Sequence, residues 1–331
     1  VKPGYSSGSD PCLDYRQLSP VYGFVEKASK VILIILGSHQ FVILLGMFLI
    51  YFIHFRHNES VSPSLSREEA MGTTMTSKER VKAAFAFSQP DHTPVDYFST
   101  PEIHNRLELH FGVRGDDAVR SCLGADIRYI NPPYIGPTLP DFNDGSVMNI
   151  WGVLKKPTAN EYGDYMESVN SPYAGWGTIE DAEHFDWPDP DWYDYDSMPE
   201  LCSKHPGAAL FTGSFSVQDF INNIAYGRGV EQVLMDIAAE DPVYLYIVEK
   251  RHRFYLEHIN RILSASRGQI DAVLCGDDFG TQRGLLISPQ SFDRLFAPKK
   301  KELFDMVHSH GAKITHHCCG SSRDIIPNFV E

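Results

Sequence analysis

His317 and Cys319 stand two residues apart at the end of an apolar run, Ala312 to His317. In an extended strand that spacing puts both side chains on one face. Imidazole with thiolate is a soft pair that suits zinc, whose catalytic sites take three protein ligands and keep one position open. The pair is a candidate metal site, with the third ligand expected from Asp277 or Asp278 or from beyond Glu331. The alternative is that the two cysteines and two histidines merely pack, and His316 and Cys318, on the opposite face, are expected to be structural. Asp277 and Asp278 directly follow a second apolar run, Ile270 to Cys275, which puts at least one carboxylate at a strand's C-terminal end. Adjacent carboxylates repel, so one can hold a raised pKa and act as acid or base. Both are candidate catalytic residues, against the alternative of a helix cap or a solvated loop.

The elements that must carry these groups alternate. Thr76-Ser77-Lys78-Glu79 is a capping box that predicts a helix to Ser88, stopped at Gln89-Pro90. Thr93 to Phe98 and Asp126 to Ile130 read as strands with a helix from Thr100 between them, and Asn131 to Tyr173 as hairpins and loop. Trp187 to Trp192 reads as an aromatic, acidic loop, either a lid or a packed surface. Ala208 to Thr212, Ile270 to Cys275 and Ala312 to His317 are continuous apolar runs separated by helices at about 216 to 225, 229 to 239, 242 to 267 and after Ser288, where Pro298 kinks or breaks the last. Such strands mean parallel pairing buried on both faces. Their ends carry polar, ligand-type residues rather than one glycine-rich phosphate turn, so an α/β fold of the (β/α)8 TIM-type is expected over a doubly wound sheet. A Rossmann reading fails because Gly227 and Gly229 lie between helices.

Composition narrows the partners. The 331 residues are 43% hydrophobic and 22% charged, an ordinary globular balance. The 29 Lys and Arg against 43 Asp and Glu give a net charge of -14, the wrong sign for wrapping nucleic acid. Six cysteines, four of them far apart and none in a CxxC pair, fit a reduced, cytoplasmic compartment. Residues 1–70 read as an extension outside the domain, with a hydrophobic segment at 31–55 that is either a transmembrane helix, and so a membrane anchor, or spurious upstream sequence. The domain is expected to span 75–331 and to be C-terminally incomplete, because Asp324 to Glu331 has a helical pattern without a stop signal.

Gly-Asp-Asp-Phe-Gly-Thr-Gln at 276–282, Leu-Ile-Ser-Pro-Gln-Ser-Phe at 286–292, Phe-Ala-Pro at 296–298 and His-Ser-His-Gly-Ala-Lys at 308–313, leading to His317-Cys318-Cys319-Gly320, resemble the uroporphyrinogen decarboxylase superfamily. The likeness is greatest to its branch of corrinoid-dependent methyltransferases. It extends to Asp91-His92-Thr93-Pro94-Val95, to Gly213-Ser214-Phe215 and to Gly229–Leu234, and covers about 75 to 331. The resemblance implies a (β/α)8 barrel lacking its last units here, with zinc on His317 and Cys319 through a His-x-Cys-Gly element and a third ligand further on. It implies methyl transfer between a small methylated substrate or thiol and a corrinoid (cobalamin-type) cofactor on a partner protein. The decarboxylases of the superfamily clamp a tetrapyrrole's propionates with an arginine-bearing loop after the Pro-Val strand. Here Val95 is followed by Asp96-Tyr97-Phe98-Ser99-Thr100, with no arginine before Arg106. Tetrapyrrole decarboxylation is thus the second expectation, and a membrane-tethered binding protein without chemistry the third.

Overall fold

A computed structural model describes residues 75–160 and 163–330, within a compact unit of Thr73–Glu331. The extension at 1–70, including the segment at 31–55, lies outside the described residues. Helix α1 (Ser77–Phe85) starts on the Thr76–Glu79 capping box, both halves of which form. It ends earlier than expected. Helices α2 (Pro101–Phe111) and α3 (Asp116–Cys122) lead to strand β1 (Ile127–Tyr129). The expected strand at Thr93 to Phe98 makes no ladder. Pro94 has no N–H, and the Val95 N–H donates to the Asp126 carboxylate at 2.8 Å instead of to a neighbouring strand, leaving one backbone bond, Asp126 N–H to Val95 C=O.

The glycine- and proline-rich stretch folds as a small antiparallel sheet of β2 (Val147–Met148), β3 (Leu154–Asn160) and β4 (Gly163–Ser168). Helices α4 (Ile179–Glu183) and α5 (Met198–Ser203) follow. Trp176, before α4, and Trp187, after it, pack on Tyr173 and Phe185, and the Trp187 indole N–H donates to the Ala182 carbonyl at 2.9 Å, so the loop at Trp187 is a packed surface. Strand β5 (Ala209–Gly213) precedes α6 (Asn222–Arg228), α7 (Val230–Ala239) and the long α8 (Pro242–Ala265). Strand β6 (Ala272–Cys275), helices α9 (Pro289–Leu295) and α10 (Ala297–Ser309), strand β7 (Lys313–His316) and helix α11 (Ile326–Val330) complete the order. The break near Pro298 falls at Phe296, the C-cap of α9 and N-cap of α10.

The main sheet runs β1-β5-β6-β7, all parallel, with Phe211 opposite Ala272 and Cys275 opposite His316. Strands β5 and β6 are buried at every residue, as their unbroken apolar sequences require. One core, including Leu210, Val273, Ile262 and Leu303, fills the space between this sheet and α8 and α10. This α/β layering brings the C-terminal ends of β5, β6 and β7 side by side. Among the described residues no helix is long and apolar enough to cross a membrane.

Two glycines let the strand ends meet. A Cβ on Gly276 would lie 2.2 Å from the Phe215 carbonyl oxygen, a backbone atom that cannot swing away. Gly276→Ala should therefore cost about 2 kcal/mol or more, read as a lower thermal midpoint; an unchanged midpoint would show that the β5 and β6 loops are not in contact there. Gly320, at φ 79°, lies against the backbone of Gly280 and Thr281, and the Ser321 N–H donates to the Thr281 carbonyl at 2.7 Å.

Candidate metal centre

The residues after β6 and β7 sort by face. The His317 N–H extends the ladder to the Cys275 carbonyl at 2.8 Å, so strand-like alternation continues past His316. His316 turns inward, stacking near Phe279, and its Nε2 accepts the Asp277 N–H at 3.0 Å. Burial and the nearby Lys300 cation hold its pKa far below the ordinary imidazole value. Cys318 Sγ accepts the Phe279 N–H at 3.3 Å. Both are structural, as expected for that face.

His317 and Cys319 turn outward. His317 Nε2 lies 3.1 Å from Cys319 Sγ and 3.4 Å from Asp278 Oδ1. The three groups can hold a metal ion, each offering one ligand atom. Zinc bonds of about 2.0–2.3 Å in a tetrahedron set neighbouring ligand atoms roughly 3.3–3.7 Å apart; the two His317 distances are near that spacing, and all three donor atoms lie within 4.8 Å of one another. Asp278 is held by two bonds: Oδ1 accepts the Cys319 N–H at 2.7 Å and Oδ2 accepts the Asn222 amide at 3.1 Å. The His317 ring packs on Phe215, centroids 4.7 Å apart. Cys319 is an exposed residue, yet partial desolvation of its thiol, reinforced by the negative Asp278, pushes its pKa up to about 11. Without a cation the site holds a thiol; a bound cation reverses that balance.

Asp277 departs from its neighbour. It is 1% exposed, and its Oδ2 caps the turn after β5 by accepting the Phe220 and Ile221 N–H groups at 2.7 and 3.1 Å. Asp219 does the same for Asn222 and Asn223, through Oδ1. These carboxylates consume the N–H groups of 220–223, which is why the helix expected from 216 begins only at Asn222. The two carboxyl groups face each other; burial raises both pKa values, and the negative charge of Asp219 raises that of Asp277 further, while the hydrogen bond from Asp277 holds Asp219 down. Asp277 Oδ1 has no hydrogen-bond partner as an acceptor, consistent with a proton there shared with Asp219. Beneath them Lys300, 2% exposed, donates from Nζ to the carbonyls of Gln218, at 2.7 Å, and Gly276. Burial lowers its pKa against the pull of Asp277.

A cavity of about 290 Å³ opens beside these groups, lined by Asp219, Asn222, Tyr226, Asp277, Asp278 and His317 among others. All four expected site residues, Asp277, Asp278, His317 and Cys319, thus come to adjoining strand ends. Asp219, Asn222 and Lys300 are additional. Lys300 had a sequence signal: Phe296, Lys300, Leu303 and Val307 form one helical stripe, and a lysine within an apolar stripe is a buried-cation candidate. Asp219 and Asn222 had none.

No protein-family model and no curated protein matches the chain. Among solved structures it is similar to a methyltransferase from Methanosarcina mazei, at 15% sequence identity and a TM-score of 0.43, over 78% of this chain and 74% of that one.

Proposed function

We propose that the protein is a zinc-dependent methyltransferase of (β/α)8-barrel type, moving a methyl group between a small methylated substrate or thiol and a corrinoid carried by a partner protein. The observation that carries the reading is the convergence of Asp278, His317 and Cys319 at two neighbouring strand ends, with their donor atoms all within 4.8 Å of one another. The resemblance of the same motifs to corrinoid-dependent methyltransferases supplies the reaction class. Four parallel strands in chain order, with the polar groups at their C-terminal ends, support the barrel.

Zinc, when bound, supplies Lewis acidity that stabilises a thiolate or polarises the heteroatom bearing the methyl group. The chain's own residues do the rest. Cys319 gives up its proton to bind, Asp278 and His317 complete the donor set, and Asn222 fixes the Asp278 carboxylate through its second oxygen. Asp277 and Asp219, catalytic in this reading, share one proton beside the cavity, and the carboxylate left ionised would accept the proton that an incoming thiol gives up. The methyl group passes as a cation equivalent, the bonding electron pair staying on the atom it leaves. Lys155 lines this cavity, its ammonium 4.2 Å from the Tyr226 ring centroid, but among the described residues no arginine does, and Arg120 is taken up by Asp96 and Asp116, so the guanidinium forks of a polycarboxylate clamp are not part of the lining.

The test uses the full chain loaded with zinc, methylcobalamin in place of a protein-bound corrinoid, and a panel of small thiols. Zinc-dependent loss of methylcobalamin with matching thioether formation is expected. Zinc-loaded protein that methylates no thiol, and demethylates no thioether with reduced cobalamin, would overturn the reading.

A further inference from the structure

A second cavity, of about 410 Å³, adjoins the first; Ser216 and Asn223 line both. Its walls are aromatic. Tyr134, Trp151, Tyr193 and Tyr255 line it, with Tyr134 edge-on to Tyr193 at 5.6 Å and Trp151 tilted on Tyr255 at 5.8 Å. These rings come from the loops after β1 and before β3, from the segment before α5 and from α8, so the fold assembles the chamber from distant parts of the chain.

Behind the Trp151 ring lies Arg251, fully buried, its guanidinium carbon 3.9 Å from the ring centroid. Among the described residues it forms no ion pair. It makes a long hydrogen bond to the Tyr255 hydroxyl at 3.5 Å and interacts with the Tyr173 hydroxyl, while its Nε and Nη1 have no partner. A buried cation without a contacting counter-ion is expensive, and the Asp219 carboxylate, which feels its charge, forms no ion pair with it. Negative charge arriving in the chamber would supply what the protein does not. The Ser216 hydroxyl and the Asn223 side-chain amide on the shared wall have no protein partner among the described residues, so they are available to a ligand passing from one chamber to the other.

We infer that the molecule bound here is an aromatic anion, its ring held among Trp151, Tyr134, Tyr193 and Tyr255, its negative charge drawn by Arg251, and its reacting substituent directed past Ser216 and Asn223 to the metal centre. Flat rings are favoured because offset and edge-on contacts with the four walls add to simple area burial. The single unpaired guanidinium matches one anionic group, such as a carboxylate. The direction of the substituent rests on the proposed metal-centred reaction; the ring-and-charge preference does not.

Calorimetric titration of the full chain with benzoate, benzamide and cyclohexanecarboxylate separates the two preferences. Benzoate is expected to bind at least tenfold more tightly than either the neutral amide or the saturated acid. Leu139→Trp, which adds bulk at a residue lining the cavity and leaves Arg251 and the metal ligands unsubstituted, should abolish benzoate binding. The Cys319→Ser variant should bind benzoate as the parent does, so a failure of the zinc reading leaves this result standing. No benzoate binding, equal binding of all three compounds, or binding indifferent to Leu139→Trp would overturn the inference.

Discussion

Cys319→Ser should weaken zinc binding roughly 100-fold or more, about 3 kcal/mol, while Cys318→Ser binds as the parent does. The two cysteines are adjacent, so the contrast isolates geometry from composition. Cys319 Sγ lies with His317 Nε2 and Asp278 Oδ1, whereas Cys318 Sγ faces inward to the Phe279 N–H. His317→Ala should match Cys319→Ser. Asp278→Asn keeps a carbonyl oxygen in place but removes its charge, so a smaller loss of about tenfold is expected. Metal binding displaces the proton of a thiol whose pKa lies near 11, so apparent affinity should rise about tenfold per pH unit across the neutral range. The same electrostatics give a readout without metal. Asp278 is among the causes that raise the Cys319 pKa, so Asp278→Asn should lower it and speed alkylation by iodoacetamide near pH 9. Zinc content indifferent to Cys319→Ser, or lost equally with Cys318→Ser, would sink the site.

Much of this site was legible because strand alternation is strict. Two residues apart means one face, and that alone separated His317 and Cys319 from His316 and Cys318. What spacing cannot give is the pairing between strands. Asp277 and Asp278 were equivalent as text; they differ because β6 sits between β5 and β7, which turns Asp277 toward the 219–223 turn and Asp278 toward Cys319. The alternating α/β order was equally plain in its continuous apolar strands. Element ends were not, and the reasons are side-chain competitors for backbone N–H groups: Asp126 at Val95, and Asp219 and Asp277 at residues 220–223. Arg251 illustrates a missed signal. It shares a helical stripe with Ile247, Tyr255 and Ile259, all buried, so a cation in the interior was readable from periodicity, but not its lack of an ion pair.

Lys300→Met should destabilise the fold by about 3–5 kcal/mol and lower the thermal midpoint on the order of 10 °C. Methionine matches the stem in the space between Phe220 and Phe279 but cannot donate to the Gln218 and Gly276 carbonyls, which would be left without that donor beneath the site. It also removes the cation that offsets the Asp219 and Asp277 carboxyls. Asp277→Asn tests that second part. The amide can still accept the Phe220 and Ile221 N–H bonds, and the charge it deletes is one the fold resists. The folded pKa of Asp277 is raised well above an unfolded value near 3.9. The native state therefore binds the proton more tightly, and stability falls as pH climbs above about 4 toward the folded pKa. Asp277→Asn should remove that decline, so its cost shrinks as pH rises. In the double variant, Lys300→Met with Asp277→Asn, the loss should be smaller than the sum of the single losses by about 1–3 kcal/mol, because no buried carboxylate is then left facing an absent cation. Strict additivity across pH 5 to 8 would show that Lys300 supports only the two carbonyls and that the carboxyl pair keeps its proton without it.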